Sequence, residues 1–486
     1  MSTRPSTDNK DRAIPKATDQ VLSTMTLDGK RRWLYPVLSK GKHFWRRLIT
    51  AVALIALFLA LPVVEVGGNP AVFLDVIHRE FHFFGLTLYP TDTTILMVFL
   101  LLCFVGIVML TALLGRVWCG WGCPQTIYME FVFRPIERLI EGREMKRKRR
   151  DEGPWNADKI WRKGLKWSIF AAIAVFLSHA FLAYFVSWDA LLAWAGGAPT
   201  EHFGVFTAML LVSGLIFFDF AYFREQMCTI TCPYARIQSA LQDDESMIVA
   251  YDPNRGEPRG RRSRALRKKE NDGVEIALGD CIDCGACVRT CPTGIDIRDG
   301  LQMECIGCTQ CIDACNDIMD GIAKPHGLIR YTSERALEKQ ETARVVRPRT
   351  IAYGVLWVGL FVALSVFISG REPLSVDVGR VTGAPYTVLK DDTVANRLRF
   401  RLRNRSGSAQ RFHIEPISPK GLDIKMMGEP DIALEHGQME RVEAWIVVPE
   451  EALGSRGNVG ARFRVEGSEG LAKEVDFRLL GPSIDE

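Results

Sequence analysis

Long apolar runs alternate along this chain with polar, strongly basic segments. Runs of roughly 20 mostly apolar residues, enough helix to cross about 30 Å of hydrocarbon, lie at Leu48–Val66, Ile95–Leu114, Trp167–Trp188, Phe203–Phe223 and Thr350–Ser369. Core helices of soluble proteins rarely stay uncharged for so long, so a polytopic α-helical membrane protein with five transmembrane helices is expected. The first run begins too late and is too long to be a cleaved signal peptide. Beyond Gly370 the period changes. Arg397-Leu398-Arg399-Phe400-Arg401-Leu402-Arg403 alternates with period two, and Gln410–Ile414, Val442–Val448, Ala461–Val465 and Glu474–Leu479 read as further short strands separated by Gly, Pro, Asn and Ser. A β-sandwich is predicted there, and it carries no catalytic constellation.

Charge then orients the helices, because Lys and Arg in short loops resist translocation. Lys30, Arg31, Arg32, Lys40, Lys42, Arg46 and Arg47 precede the first run, and residues 134–166 hold twelve Lys/Arg against six Asp/Glu. Residues 67–94 hold one basic residue, Arg79, and residues 189–202 hold none. The basic segments are expected in the cytoplasm, together with the N-terminus and residues 224–349, and the tail on the far side. The runs Lys146–Arg150 and Arg259–Lys269 are read as topology determinants facing lipid headgroups. A net charge of +4 and no reader motif argue against nucleic acid as a partner.

All 13 cysteines precede residue 316. Thiols on the reducing side or in the bilayer are ligand candidates rather than a disulfide framework. Eight of them form Cys281-x2-Cys284-x2-Cys287-x3-Cys291-Pro292 and Cys305-x2-Cys308-x2-Cys311-x3-Cys315. This is the spacing of a bacterial two-cluster ferredoxin, in which the last cysteine of each run serves the other cluster. Cys281, Cys284, Cys287 and Cys315 are therefore assigned to one [4Fe-4S] cluster, and Cys305, Cys308, Cys311 and Cys291 to a second. Structural zinc is the competing reading, but zinc sites use cysteine pairs rather than tandem sets of four. Asn316 stands where the second run usually has proline; loop geometry is expected to change there and ligation to survive.

A second motif occurs twice, as Cys119-x3-Cys123-Pro124 and Cys228-x3-Cys232-Pro233, each beyond an inward-running helix and with Arg116 or Arg224 nearby. If the segments are helical, each pair shares a face, and two pairs converging would offer four soft thiolates suited to Cu(I), zinc or iron–sulfur iron. The bland alternative is small residues at helix ends. Cys103, alone in the second run, and His179 read as packing residues. Asp219 lies two turns before Cys228 as a proton acceptor or as the partner of Arg224. His78 and His82, spaced i and i+4, are either one helical metal-binding face or ordinary interfacial histidines. No Cys-x-x-Cys-His site for covalent haem exists.

Taken together, the five apolar runs, the paired Cys-x3-Cys-Pro motifs, the eight ferredoxin cysteines and the strand-rich tail resemble the cytochrome c oxidase accessory protein family, called CcoG, FixG or RdxA. The likeness covers all but the first 25 or so residues. It implies a bacterial inner-membrane protein that assists maturation of cbb3-type oxidase, linked to reduction of Cu(II) to Cu(I). Cys119, Cys123, Cys228 and Cys232 would be its copper or redox motif, and the tail its immunoglobulin-like domain. The organisation expected is a cytoplasmic tail (1–46), a four-helix membrane core (47–223), a cytoplasmic segment with the ferredoxin module (224–349), a fifth helix (350–370) and a periplasmic domain (371–486). The implied partners are membrane lipid, an unidentified electron donor, and copper-handling and cbb3 oxidase assembly proteins. Two other readings stay open: a quinol-coupled electron-transfer subunit, and a non-catalytic assembly scaffold.

Overall fold

The computed structural model describes residues 23–25, 30–66, 69–76, 79–89, 92–260, 278–389, 391–406, 408–468 and 470–483. Most of the basic run Arg259–Lys269 and His78 lie outside the described residues. The chain divides into two compact units, residues 1–364 and 365–486.

Among the described residues five helices are long and apolar enough to cross a membrane: α1 (Lys42–Ala60), α2 (Thr93–Leu114), α3 (Ala157–Val186), α4 (Phe203–Phe218, continued by a π-helical turn to Phe223) and α5 (Pro348–Ser369). Their most apolar windows have mean hydropathies of 1.5 to 3.0, yet no more than 39% of any window is buried by the protein itself. Apolar surface of that extent needs hydrocarbon around it. This is a multi-pass membrane protein.

The helix limits have local causes. α1 starts six residues before the expected Leu48, because Asp313 accepts hydrogen bonds from the backbone N–H groups of His43 (3.2 Å) and Phe44 (2.8 Å) and so satisfies two donors left free at a helix start. It ends at Ala60, ahead of Pro62, which has no N–H to give to the carbonyl of Phe58. The Tyr184 hydroxyl of α3 donates to that carbonyl instead, at 2.6 Å. α3 is capped by Asn156, which accepts from the Lys159 N–H at 2.8 Å, and so begins ten residues before the expected Trp167.

Between α1 and α2 the chain forms an antiparallel sheet of Val72–Asp75, Glu80–Phe83 and Leu86–Leu88. His82 sits on its middle strand, hydrogen-bonded to Thr87 (2.9 Å) and stacked on Phe73. The helical spacing argument for His78 and His82 therefore does not apply.

Between α4 and α5, Ile248–Tyr251 pairs antiparallel with Ile329–Thr332. Helices Ala286–Thr290 and Gln310–Gly321 lie between them in sequence, over a core that includes Val249, Tyr251, Ile295, Ile312, Met319 and Ile329.

In the second unit the alternating segment lies within a long strand. The strands are β1 (Leu374–Arg380), β2 (Thr387–Val388), β3 (Thr393–Asn404), β4 (Gln410–Ser418), β5 (Asp423–Met426), β6 (Ile432–Leu434), β7 (Met439–Pro449), β8 (Asn458–Gly467) and β9 (Ala472–Leu480). One sheet runs β5-β7-β3-β1, with β2 also on β3, and the other runs β6-β4-β8-β9. Leu398, Phe400 and Leu402 are fully buried while the arginines between them are not, and Phe400 meets Phe463 edge-on at 5.4 Å. This packing of two antiparallel sheets face to face is a β-sandwich.

Candidate functional site

The tandem cysteine runs fold as two copies of one backbone plan. Asp283 and Gly307, at matching positions, are both left-handed (φ 51° and 64°), as are Gly285 and Thr309 (φ 65° and 61°). Each second pair starts a short helix. The copies part at their fourth cysteine. Cys291 is extended before Pro292, whereas Cys315 lies inside a helix that continues through Asn316 to Gly321. A proline at 316 would disfavour the helical conformation of Cys315 before it, so Asn316 permits the longer helix.

These turns bring together the cysteine sets that the spacing pairs. One small cavity is lined by Cys281, Cys284, Cys287 and Cys315 against Tyr251, Met319 and Ile329. Another is lined by Cys291, Cys305, Cys308 and Cys311, with Cys287 at its edge, against Val249, Ile295 and Ile297. Burial pushes the thiols of Cys287 up to about 11 and of Cys308 and Cys315 up to about 12, and raises Cys305 and Cys311. A cationic occupant would be needed to hold them as thiolates. Among the described residues no three His, Cys, Asp or Glu side chains stand close enough to share one metal ion. Four cysteines lining each cavity from two tandem runs suit a cage of iron and sulfide, the group that their spacing calls for.

The two Cys-x3-Cys-Pro copies also share one backbone plan, which the sequence does not announce. Gly115 and Arg224, each four residues before the first cysteine, both have φ 55° and ψ −119°. Cys123 and Cys232 are both extended (ψ 126° and 112°), and Pro124 and Pro233 each begin a new helix. The expected i, i+4 helical face is therefore broken at the second cysteine, because proline disfavours the helical conformation in the residue before it. The two pairs lie within electrostatic reach of each other, Cys123 and Cys232 acting on Cys119 and Cys123, Cys119 and Cys232 acting on Cys228, although no three of these thiols stand close enough to share one metal ion. Burial is the main cause of the Cys119 thiol rising to about 12, and it raises Cys123 and Cys228 as well. Cys119 donates to the Gln238 side chain at 3.4 Å, and Gln238 in turn holds the Gly115 carbonyl at 2.7 Å. Cys103 is exposed on α2.

Asp219 does not pair with Arg224. It accepts from the Gln125 amide at 3.2 Å, and its charge reaches Cys123 and Cys228. Arg224 instead forms a two-pronged pair with Glu137 (3.0 Å for each prong), which also meets Lys166 at 3.3 Å and Arg147. Arg147 is thus a buried partner of Glu137 rather than a headgroup-facing charge, which corrects that part of the reading of Lys146–Arg150.

The ferredoxin segment docks directly on the first membrane motif. A Cβ at Gly120 would lie 2.7 Å from the Gly307 carbonyl oxygen and 2.8 Å from that of Ile306. Arg116 donates to the carbonyls of Met303 and Cys305, the latter at 2.9 Å. The Trp121 indole donates to the Tyr331 hydroxyl (3.0 Å), which donates to the Gly307 carbonyl (3.3 Å). Cys305 accordingly contributes to the electrostatics of Cys119. Sequence reasoning missed Gln238 and Glu137, whose roles depend on tertiary contacts that no local motif encodes.

Comparison with known proteins agrees with this anatomy. A 4Fe-4S dicluster domain matches residues 223–334, a 4Fe-4S binding domain matches 96–143, and an IG-like fold at the C-terminal of FixG matches 364–482. The chain is 36% identical to Protein RdxA of Cereibacter sphaeroides over 83% of its own length and 86% of the relative's. It is 34% identical to Protein RdxB of the same organism over 84% and 86%. Nitrogen fixation protein FixG of Rhizobium meliloti is 32% identical over 77% of each chain. Relatives 32–36% identical are aligned over most of their length and of this chain, and this chain belongs to the FixG/RdxA family of iron–sulfur electron-transfer proteins.

Proposed function

We propose that this protein is a cupric reductase of the bacterial inner membrane that assists cbb3-type cytochrome c oxidase assembly. Cys281, Cys284, Cys287 and Cys315 hold one [4Fe-4S] cluster, and Cys305, Cys308, Cys311 and Cys291 hold the other. Such clusters supply one-electron transfer at potentials set by charge, hydrogen bonding and exposure. The observation that carries the reading is the seating of Gly120 on the Ile306–Gly307 carbonyls, which puts the Cys119 motif beside the second cysteine set.

Copper is the substrate. Cu(II) favours nitrogen and oxygen in tetragonal geometry, whereas Cu(I) favours soft sulfur. Cys119, Cys123, Cys228 and Cys232 would favour the reduced product as Cu(II) takes up one electron, provided their protons leave and the sulfurs draw together from their present spread. The basic segments support placing the N-terminus and iron–sulfur module in the cytoplasm and the β-sandwich in the periplasm. The electron donor is unidentified, and the onward partners are copper-handling and oxidase-assembly proteins.

Replacing Cys119 and Cys123, or Cys228 and Cys232, by serine should abolish copper reduction while anaerobically purified protein keeps about eight irons per chain, the content of two [4Fe-4S] clusters. Parental rates in both double variants would remove copper from these cysteines. A second reading is favoured by the match of a 4Fe-4S binding domain to residues 96–143, which include Cys119 and Cys123. In that reading the four motif cysteines hold a further cluster, and iron content would be about twelve, falling to about eight in the serine variants.

A further inference from the structure

Arg47 belongs to the basic stretch that orients the first span, and a charge with only that duty would face headgroups and water. It does not. Arg47 lies one turn inside α1 and is 1% exposed. A buried guanidinium is costly unless its donors are used or its charge is matched. One donor is used: Nε–H bonds the Gly120 carbonyl at 3.0 Å. Both terminal nitrogens are buried without a hydrogen-bond partner among the described residues, and the group lies 5.3 Å from the centre of the Phe131 ring. Gly120 is the residue seated on the Ile306 and Gly307 carbonyls, so the bond to Gly120 tethers Arg47 next to the loop that ends in Cys308. Of the charged neighbours acting on Cys308, Arg47 is the strongest, and it also acts on Glu130 and Tyr331.

We propose that Arg47 is the positioning residue that makes the cluster held by the second set, Cys291, Cys305, Cys308 and Cys311, the more readily reduced of the two. Reduction adds one negative charge to a buried site. In a low-dielectric setting a fixed cation with unused N–H groups stabilises that charge strongly, and hydrogen bonding and nearby charge are the levers by which a protein sets such a potential. Opposed charges act on both sets, Arg298 and Asp296 on Cys287 and Arg116 and Glu304 on Cys305, and Arg47 is the further cation at Cys308. An electron entering the module then rests beside Cys305, on the side that faces Cys119.

This inference rests on the two-cluster reading above, and the test separates the two. Full-length protein, purified anaerobically, is titrated electrochemically and followed by electron paramagnetic resonance for the parent and for Arg47→Met, Arg47→Gln and Arg47→Lys. In both neutral variants one cluster should become at least tenfold harder to reduce, a shift of about 59 mV for one electron, while the other is unmoved. Arg47→Lys should recover part of the shift. Unchanged midpoints in both neutral variants at full iron content overturn the proposal. So does loss of the second cluster in both, since Arg47 would then hold the site together rather than tune it. A parent without cluster signals would instead sink the two-cluster reading itself.

Discussion

At the residue scale, charges inside the first unit do more than orient helices. Glu137 is held by Arg224, Lys166 and Arg147, and although burial alone would raise its carboxyl, these cations bring it well below its ordinary 4.5. A carboxylate depressed in the folded state contributes stability above its unfolded value, and that contribution is lost as pH falls through the folded value. Glu137→Gln strands buried cations, a change that costs about 3–5 kcal/mol when one partner of a buried pair is removed. The variant should unfold at lower denaturant than the parent at pH 7, and the gap between them should be flat above about pH 4.5 and narrow below it. A gap independent of pH down to 3 would show that Glu137 is not the charged hub of this network. The gathering of the eight ferredoxin-type cysteines around two cavities was legible from spacing, because a two-cluster ferredoxin carries a local pattern. Glu137 was not, since its partners Arg224 and Arg147 lie on other segments and sequence shows only charges.

At the element scale, the apolar runs predict all five membrane helices, but the ends depend on neighbours. Propensity and hydropathy both start α1 at the apolar residues. It starts earlier because a carboxylate 270 residues away in sequence, Asp313, caps it. The same bond ties the first membrane helix to the helix that carries Cys311 and Cys315. Asp313→Ala should therefore weaken both, by about 0.5–2 kcal/mol as expected for a lost helix cap. Heating anaerobic protein and following the iron–sulfur absorbance should show bleaching at lower temperature than in the parent. Bleaching at the parental temperature would mean that the cap adds nothing to the iron–sulfur module. The broken helical face of Cys-x3-Cys-Pro was foreshadowed by its proline, whereas the common φ and ψ of Gly115 and Arg224 were not: glycine adopts φ 55° at little cost and arginine only with support.

At the scale of the whole molecule, one end of the membrane bundle gathers the basic segments and the ferredoxin. Tyr35 bonds Asp151 at 2.8 Å, the Val37 carbonyl accepts from Thr290 at 2.8 Å, and Arg134 reaches the Pro292 carbonyl at 3.5 Å. The segment before α1, the loop between α2 and α3, and the segment between α4 and α5 therefore share one side. This is what helices crossing in alternation require. The proposed periplasmic placement of residues 371–486 requires all five spans to cross. The proposal that this side is cytoplasmic rests on charge rather than on contacts, because translocating a short loop with twelve Lys/Arg is disfavoured. A reporter active only outside the cytoplasm should work when fused after Glu486 and fail when inserted within residues 255–271, whereas a reporter active only inside should do the reverse. The opposite result would place the cysteine sets in the compartment where thiols are oxidised. That would be incompatible with resident iron–sulfur clusters and with copper reduction at the membrane face argued above. A result in which both fusions report the same side would mean that α5, which lies between the two fusion sites, does not cross, although its most apolar window has a mean hydropathy of 2.4.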